Sequence, residues 1–287
     1  MSGAVQNPDA DSAGASAARL TRGRGAALSA WLKKRGGAIV VFLLLLLAWE
    51  FAVRVTGIKE YLLPPPSRVW TEYWKRHDTV MASAWVTTQE IVAGYLLAVV
   101  VSIPLALWIA YSRFMENAVY PAIVFLQIVP KIAIAPLFII WFGFGFTPKL
   151  LVVFLLSFFP IVVAGIAGFK SVDADIMDFA RTTGAGGWKM FLKIRLPQAL
   201  PQIFTGLKVG AAIAATAAVV AEFVASDKGL GYLLLQYNGN LDTPMVFATI
   251  ILLSLIGLVV YYAVELVERF TIPWHVSQRQ GAEDALA

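Results

Sequence analysis

Residues 150–169 read LLVVFLLSFFPIVVAGIAGF and contain no charged side chain. An α-helix of about 20 apolar residues is about 30 Å long, which matches the hydrocarbon core of a bilayer. A second uncharged run, residues 244–264, has the same length and character. These two runs predict helices that cross a membrane.

The composition of the whole chain agrees with a membrane protein. The 287 residues are 59% hydrophobic and 14% charged, whereas soluble proteins carry about 25% charged residues. There is no cysteine and only two histidines, which excludes a disulfide framework, a thiolate metal site and a histidine-rich metal site. The net charge of +5 is scattered between apolar runs, so we expect membrane lipids as neighbours and no nucleic acid.

Four further stretches have the length and hydropathy of membrane spans. The fold class we predict is therefore all-α, a polytopic membrane protein with six transmembrane helices. The six predicted spans are residues 38–57, 82–110, 118–142, 149–168, 203–225 and 244–266.

The basic residues predict the orientation of these spans. With the N-terminus inside, the inner segments hold about twice as many Lys and Arg residues as the outer ones, so both termini are predicted to be cytoplasmic. Residues 1–37 are predicted to be a disordered basic tail and residues 273–287 a second cytoplasmic tail. The Arg- and Ser-rich start also fits an organelle transit peptide, but Asp9 and Asp11 argue against that, and we favour an uncleaved first helix.

The segment after the first span begins with residues 63–67, Leu-Pro-Pro-Pro-Ser. Prolines fix an extended backbone, and Ser67 is expected to cap the short helix that follows. Aromatic residues recur along that helix at helical spacing and suit the headgroup zone of the outer face. They are Trp70, Tyr73, Trp74 and His77.

The inner loop at residues 170–202 is longer than the others. Asp173 and Asp175 suit the start of a helix, and Gly184 suits its end. A second amphipathic stretch follows and is predicted to stop at Pro197. The loop thus predicts two short helices on the cytoplasmic face, and its apolar anchors are Ile176, Met177, Phe179, Met190 and Phe191.

Several residues of this loop have a fixed spacing: Asp178, Phe179, Ala180, Gly184, Ile194, Leu196 and Pro197. With that spacing the loop resembles the cytoplasmic EAA loop of bacterial ABC importer permeases. Two positions depart from the family pattern, because Asp178 replaces a glutamate and Phe179 replaces an alanine. Both keep the character of the side chain, acidic in one case and apolar in the other.

Other motifs extend the likeness to about residues 40–275. They resemble the nitrate, sulfonate, taurine and bicarbonate branch of the binding-protein-dependent permeases. The motifs are residues 63–67 (LPPPS), 128–137 (IVPKIAIAPL), 141–145 (WFGFG), 221–223 (AEF) and 229–232 (GLGY).

The resemblance implies an ABC importer type I permease fold in the bacterial inner membrane, working as a dimer, with two identical copies expected. It implies that the 170–202 loop carries a coupling helix, which enters a groove of a cytoplasmic ATP-binding cassette subunit. It also implies a periplasmic or lipid-anchored solute-binding protein. The implied cargo is a small solute such as a sulfonate, taurine, nitrate or a vitamin precursor. The alternative for the loop is a helix pair that only covers the cytoplasmic mouth.

Energy coupling points to the same partner. The chain contains no Gly-Lys dipeptide, so it lacks the phosphate-binding G-x-x-x-x-G-K-[ST] loop. We therefore expect no cofactor and no enzymatic activity in this chain, with ATP used by the partner. The alternative is an ion-coupled secondary transporter, whose ion sites would be the intramembrane carboxylates Glu50, Glu90 and Glu222.

Lys131 lies in the third predicted span, where a charge is costly unless it faces a cavity or a partner. Pro130 and Pro136 flank it and predict a kinked or broken helix. Together with Glu222, these residues are candidates for a substrate pathway or gate. In the alternative, Lys131 only neutralises Glu222 or Glu90 inside the bundle.

Overall fold

The computed structural model describes residues 37, 40–182 and 186–274. The chain divides into two compact units, Met1–Thr56 with Val276–Ala287, and Gly57–His275. The described part of the first unit is one helix, α1, at residues 40–56, in which Arg54 bonds Glu50 at 2.6 Å. The predicted tails at 1–37 and 273–287 lie almost wholly outside the described residues.

The second unit is all-helical over its described residues. Its α-helices are α2 (Pro66–Lys75), α3 (His77–Tyr111), α4 (Arg113–Ile128), α5 (Ala135–Phe142), α6 (Phe146–Lys170), α7 (Ala174–Thr182), α8 (Gly187–Met190), α9 (Leu196–Ala225), α10 (Leu230–Gly239) and α11 (Thr243–Thr271). A 3-10 turn, Lys131–Ile134, precedes α5, and a π turn, Phe191–Arg195, joins α8 to α9.

Within the described residues, four helical stretches are long and apolar enough to cross a membrane. These are His77–Tyr111, Phe146–Lys170, Gly187–Val224 and Thr243–Thr271. They confirm the helices predicted at 82–110, 149–168, 203–225 and 244–266. α4 and the segment Lys131–Phe142 form a bent pair at 89°, and either they are one broken span or they enter and leave on one side.

The break predicted around Pro130 is therefore confirmed. Pro130 has no N–H to donate to the preceding turn, so the helical ladder stops there. Val129 is extended, and the chain resumes as the 3-10 turn before α5. After α5, Gly143 and Gly145 take positive φ angles of 74° and 139° and turn the chain into α6.

The centre of this unit is formed by α3, α6 and α9, which share one apolar core. Gly206 and Gly210 of α9 face α6, and a Cβ on Gly206 would lie 3.0 Å from the carbonyl oxygen of Pro160. Ser157 Oγ donates to the Gly210 carbonyl at 3.2 Å. Small residues four apart allow this close approach, which is the usual way that membrane helices associate without a hydrophobic driving force.

The start of α2 differs from the prediction. Pro65 is the residue before the helix and Ser67 lies inside its first turn, so the prediction that Ser67 caps the helix is wrong. Pro66 takes the first helical position, where its fixed φ fits and its missing N–H costs nothing. α2 packs on α11.

Candidate functional site

The 170–202 loop begins with α7. Asp173 starts the helix, because its side chain accepts the Asp175 N–H at 2.9 Å and its carbonyl accepts the Met177 N–H at 3.2 Å. Asp175 lies in the first turn, where its charge complements the helix dipole. The prediction for this helix start is confirmed. Gly184, predicted to end the helix, lies outside the described residues.

α7 has two faces of different character. Met177 and Ala180 are buried, whereas Phe179 is 73% exposed and Ile176 is 42% exposed. Asp178 is exposed and pairs with Arg181 at 2.9 Å. The sequence treated Met177 and Phe179 alike as apolar anchors, and the structure separates them. Met177 holds the helix to its own unit, and Phe179 remains available to another surface.

The second half of the loop contains a correction. The helical path continues from Gly187 to Val224, so the prediction that it stops at Pro197 is wrong. The Leu196 N–H bonds the Phe191 carbonyl, five residues back, which defines the π turn. This wider turn comes directly before Pro197 and accommodates the donor and the space that a proline denies to a regular helix. Ile194, Leu196 and Pro197 are all partly buried there.

Lys131 lies at the break between α4 and α5. Its ammonium donates to the Gln127 carbonyl at 2.8 Å and lies 4.7 Å from the centre of the Phe159 ring. Among the described residues, no ion pair joins Lys131 to Glu90 or Glu222. The alternative in which Lys131 neutralises one of these glutamates is not what the structure shows. Pro136 lies in the first turn of α5, beside this break.

The two glutamates are buried together with other partners. Glu90 of α3 pairs with Lys149 of α6, and Lys149 also donates to Ser226 Oγ at 3.0 Å. Lys149, which the sequence assigned to an outer loop, is therefore inside a helix and only 5% exposed. The carboxyl groups of Glu90 and Glu222 lie within hydrogen-bonding reach of each other.

Glu222 holds the start of α10. It accepts hydrogen bonds from the Thr87 hydroxyl, at 2.6 Å, and from the Gly231 N–H. Thr87 in turn accepts the Leu230 N–H at 2.8 Å. Gly229 has φ +106°, and a Cβ there would collide with the Glu222 carboxylate. The AEF and GLGY motifs are thus two halves of one contact, which the sequence did not reveal because they are separated by a turn.

Comparison with known proteins places this architecture. Residues 102–272 match the family described as the inner membrane component of binding-protein-dependent transport systems. The chain belongs to this family. It is the transmembrane permease of a binding-protein-dependent ABC importer, a multi-pass inner-membrane protein, and not itself an enzyme. Permease subunits of this family carry no cofactor.

Similar proteins in the family transport different solutes. The riboflavin transport system permease protein RibX of Chloroflexus aurantiacus is 34% identical, over 84% of this chain and 91% of its own length. The formylaminopyrimidine transport permease protein ThiX of Halalkalibacterium halodurans is 34% identical, over 83% of this chain and 95% of its own. The taurine transport system permease protein TauC of Escherichia coli is 29% identical, over 80% and 86%.

Solved structures give the same fold. Inward-facing conformations of the MetNI methionine ABC transporter contain a chain that matches with a TM-score of 0.59 and 15% identity. The match covers 68% of this permease and 97% of that chain. At this identity it is the helical architecture that is shared.

Proposed function

We propose that this permease imports a small solute as a dimer of two identical copies, and that a cytoplasmic ATPase subunit drives it through α7. The observation that carries this proposal is the exposed apolar surface of α7, Phe179 with Ile176. Apolar side chains outside the bilayer are costly to leave in water, and a short helix that displays them fits a groove on another protein. The pattern of the EAA-like loop assigns that groove to the ATPase.

The other loop residues have supporting roles in this proposal. Asp178 provides an acidic group beside Phe179, and Ala180 lets the helix pack closely on its own unit. Gly184 turns the chain after α7. The residues at the second half of the loop fix its return into the membrane, and they are Ile194, Leu196 and Pro197.

We further propose six spans, with α1 as the first and the bent pair of α4 and α5 as the third. Residues 54–80 and 226–243 are then outside, and both termini are cytoplasmic, as the basic residues favour. The chain contains no cysteine, so single cysteines can be introduced directly. Ser67→Cys and Ser171→Cys should react with a membrane-impermeant thiol reagent from opposite sides. Labelling from the same side contradicts this topology.

The substrate proposed is a small anion, such as a sulfonate, taurine or nitrate, or a vitamin precursor. Lys131 supports an anion because it places a positive charge at a break in a predicted span, beside Pro130 and Pro136. The relatives named for taurine, riboflavin and formylaminopyrimidine show that the family accommodates each of these chemical classes. Titration of the solute-binding protein encoded beside this chain against such a panel identifies the ligand.

Reconstitution tests the whole proposal. In proteoliposomes, uptake should require ATP on the side of the coupling loop, the partner ATPase and the external binding protein. A proton or sodium gradient alone should produce none. Uptake by the permease alone, driven by such a gradient, would instead support the ion-coupled transporter.

A further inference from the structure

One contact joins the buried face of α7 to the membrane helices. The Arg195 Nε–H points to the sulfur of Met177, with a donor–acceptor distance of 3.5 Å. The guanidinium of the same Arg195 lies 4.7 Å from the centre of the Tyr111 ring. Tyr111 is the last residue of α3, so a single side chain connects α7 to a membrane span.

Aromatic rings surround this contact. Phe191, on the same π turn as Arg195, stacks on Trp188 with centroids 5.5 Å apart and meets Tyr111 at 6.2 Å. It also stacks on Phe169, near the end of α6, at 6.4 Å. The ends of α3 and α6 and the start of α9 therefore meet at one cluster, directly behind α7.

We propose that Arg195 is a positioning residue for energy coupling, the link through which movement of α7 is transmitted to α3. This inference rests on the proposed function, because it assumes that the ATPase moves α7. The ATPase-facing side chain, Phe179, is on the opposite face of α7 from Met177. Docking and transmission are thus separate contacts, and a variant can lose one while it keeps the other.

The residue type fits this role. A guanidinium is planar, so it can lie over an aromatic ring while one of its N–H groups points sideways to a second partner. Methionine sulfur is a weak acceptor on a flexible side chain, which allows the contact to persist while α7 shifts. The π turn adds a local irregularity at the point where the loop enters α9, and such turns are frequent at functional sites.

The test uses the complete reconstituted transporter and compares four permease variants with wild type. Arg195→Ala and Tyr111→Leu each remove one side of the contact, while Tyr111→Phe keeps the ring. Lys193→Ala is the matched control, since Lys193 is an exposed cation on the same π turn. The measurements are co-purification with the ATPase and the amount of solute transported per ATP hydrolysed.

Arg195→Ala and Tyr111→Leu should each lower transport per ATP by roughly fivefold or more, the usual range for a coupling contact, while ATPase co-purification stays unchanged. Tyr111→Phe and Lys193→Ala should match wild type. The double variant Arg195→Ala/Tyr111→Leu should be no worse than either single variant, because both remove the same interaction.

Wild-type transport per ATP in both Arg195→Ala and Tyr111→Leu would overturn the inference. Equal loss in Tyr111→Leu and Tyr111→Phe would overturn it too, because the ring alone should suffice. Should Arg195→Ala fail to assemble, the two Tyr111 variants decide the question. Failure of the proposed function is distinct, since it would appear as intact ATPase association when Phe179 is replaced by Asp.

Discussion

The buried charges between α3, α6 and α9 and the exposed apolar residues of α7 both depart from the usual distribution of side chains. They differ in where their partners are. Glu90 and Glu222 are within 1% of complete burial, and each has partners inside the unit. Phe179 is 73% exposed, and its neighbours on the exposed face of α7 offer it no cover. A satisfied buried group points to structure, and an uncovered apolar group points to another protein.

This difference bears on the ion-coupled alternative. That alternative needs intramembrane carboxylates that are free to bind and release an ion. The described partners of Glu90 and Glu222 are a lysine, a threonine hydroxyl and a backbone N–H, which already occupy their oxygens. The comparison therefore predicts large effects on stability at the glutamates and on association at α7.

The largest effect is expected for Lys149→Met. Removal of one partner strands the Glu90 carboxylate in an apolar interior, and breaking a buried pair costs about 3–5 kcal/mol of unfolding free energy. Denaturation of the purified permease in detergent measures this loss. The double variant Lys149→Met/Glu90→Gln should recover most of it, because no uncompensated charge remains. If Lys149→Met is as stable as wild type, the pair does not hold the bundle together.

The next effect is expected for Phe179→Asp, which should leave the stability of the permease unchanged. Burial of a carboxylate in an apolar groove without a partner costs about 2 kcal/mol or more, which corresponds to at least roughly a 30-fold weaker association with the ATPase. Co-purification and a binding titration measure this. Phe179→Leu is the matched control and should stay within about tenfold of wild type. Normal binding of the Asp variant would show that α7 is only a cytoplasmic cover.

The sequence predicted most of the membrane helices because an uncharged run of about 20 residues has few other uses. It also predicted the start of α7, since Asp173 and Asp175 act locally on the next turn. Pro197 was misread for a related reason. Proline removes a donor in any helix, but whether the helix ends or widens into a π turn depends on the packing of the neighbouring rings, which local sequence does not encode.

The buried charge cluster could be suspected from the sequence but not solved. Glu90, Lys149 and Glu222 are far apart in the chain, and the sequence offered Lys131 as the cation for either glutamate. The nearer counterpart is Lys149, which becomes a partner only when α6 packs against α3. The likeness of the GLGY motif to the family did not reveal its contact with Glu222 either, because that contact depends on the turn at Gly229.

A smaller effect is expected for Glu222→Gln. The amide oxygen can accept from the Gly231 N–H or from Thr87, but not from both in the present geometry, so one buried donor loses its partner. Such a loss costs about 1–3 kcal/mol, and the low end applies here because Thr87 can still donate to the Ser83 carbonyl. Glu222→Ala removes both acceptors and should be clearly less stable than Glu222→Gln. Equal stability of the two would show that Glu222 does not hold α10.

The smallest effect on stability is expected for Lys131→Met, and this variant sharpens the comparison because it also removes a lysine. Methionine keeps an apolar stem against Phe159, and no buried carboxylate is stranded, since the pair of Glu90 is Lys149. We expect a change in unfolding free energy within about 0.5 kcal/mol, as for substitutions away from cores and buried networks. If Lys131 attracts an anion, uptake should nevertheless fall, and uptake of an uncharged substrate should not. Unfolding in detergent and uptake in proteoliposomes measure the two quantities on one preparation. A loss of stability as large as that of Lys149→Met would return Lys131 to the structural cluster, and unchanged anion uptake would remove it from the pathway.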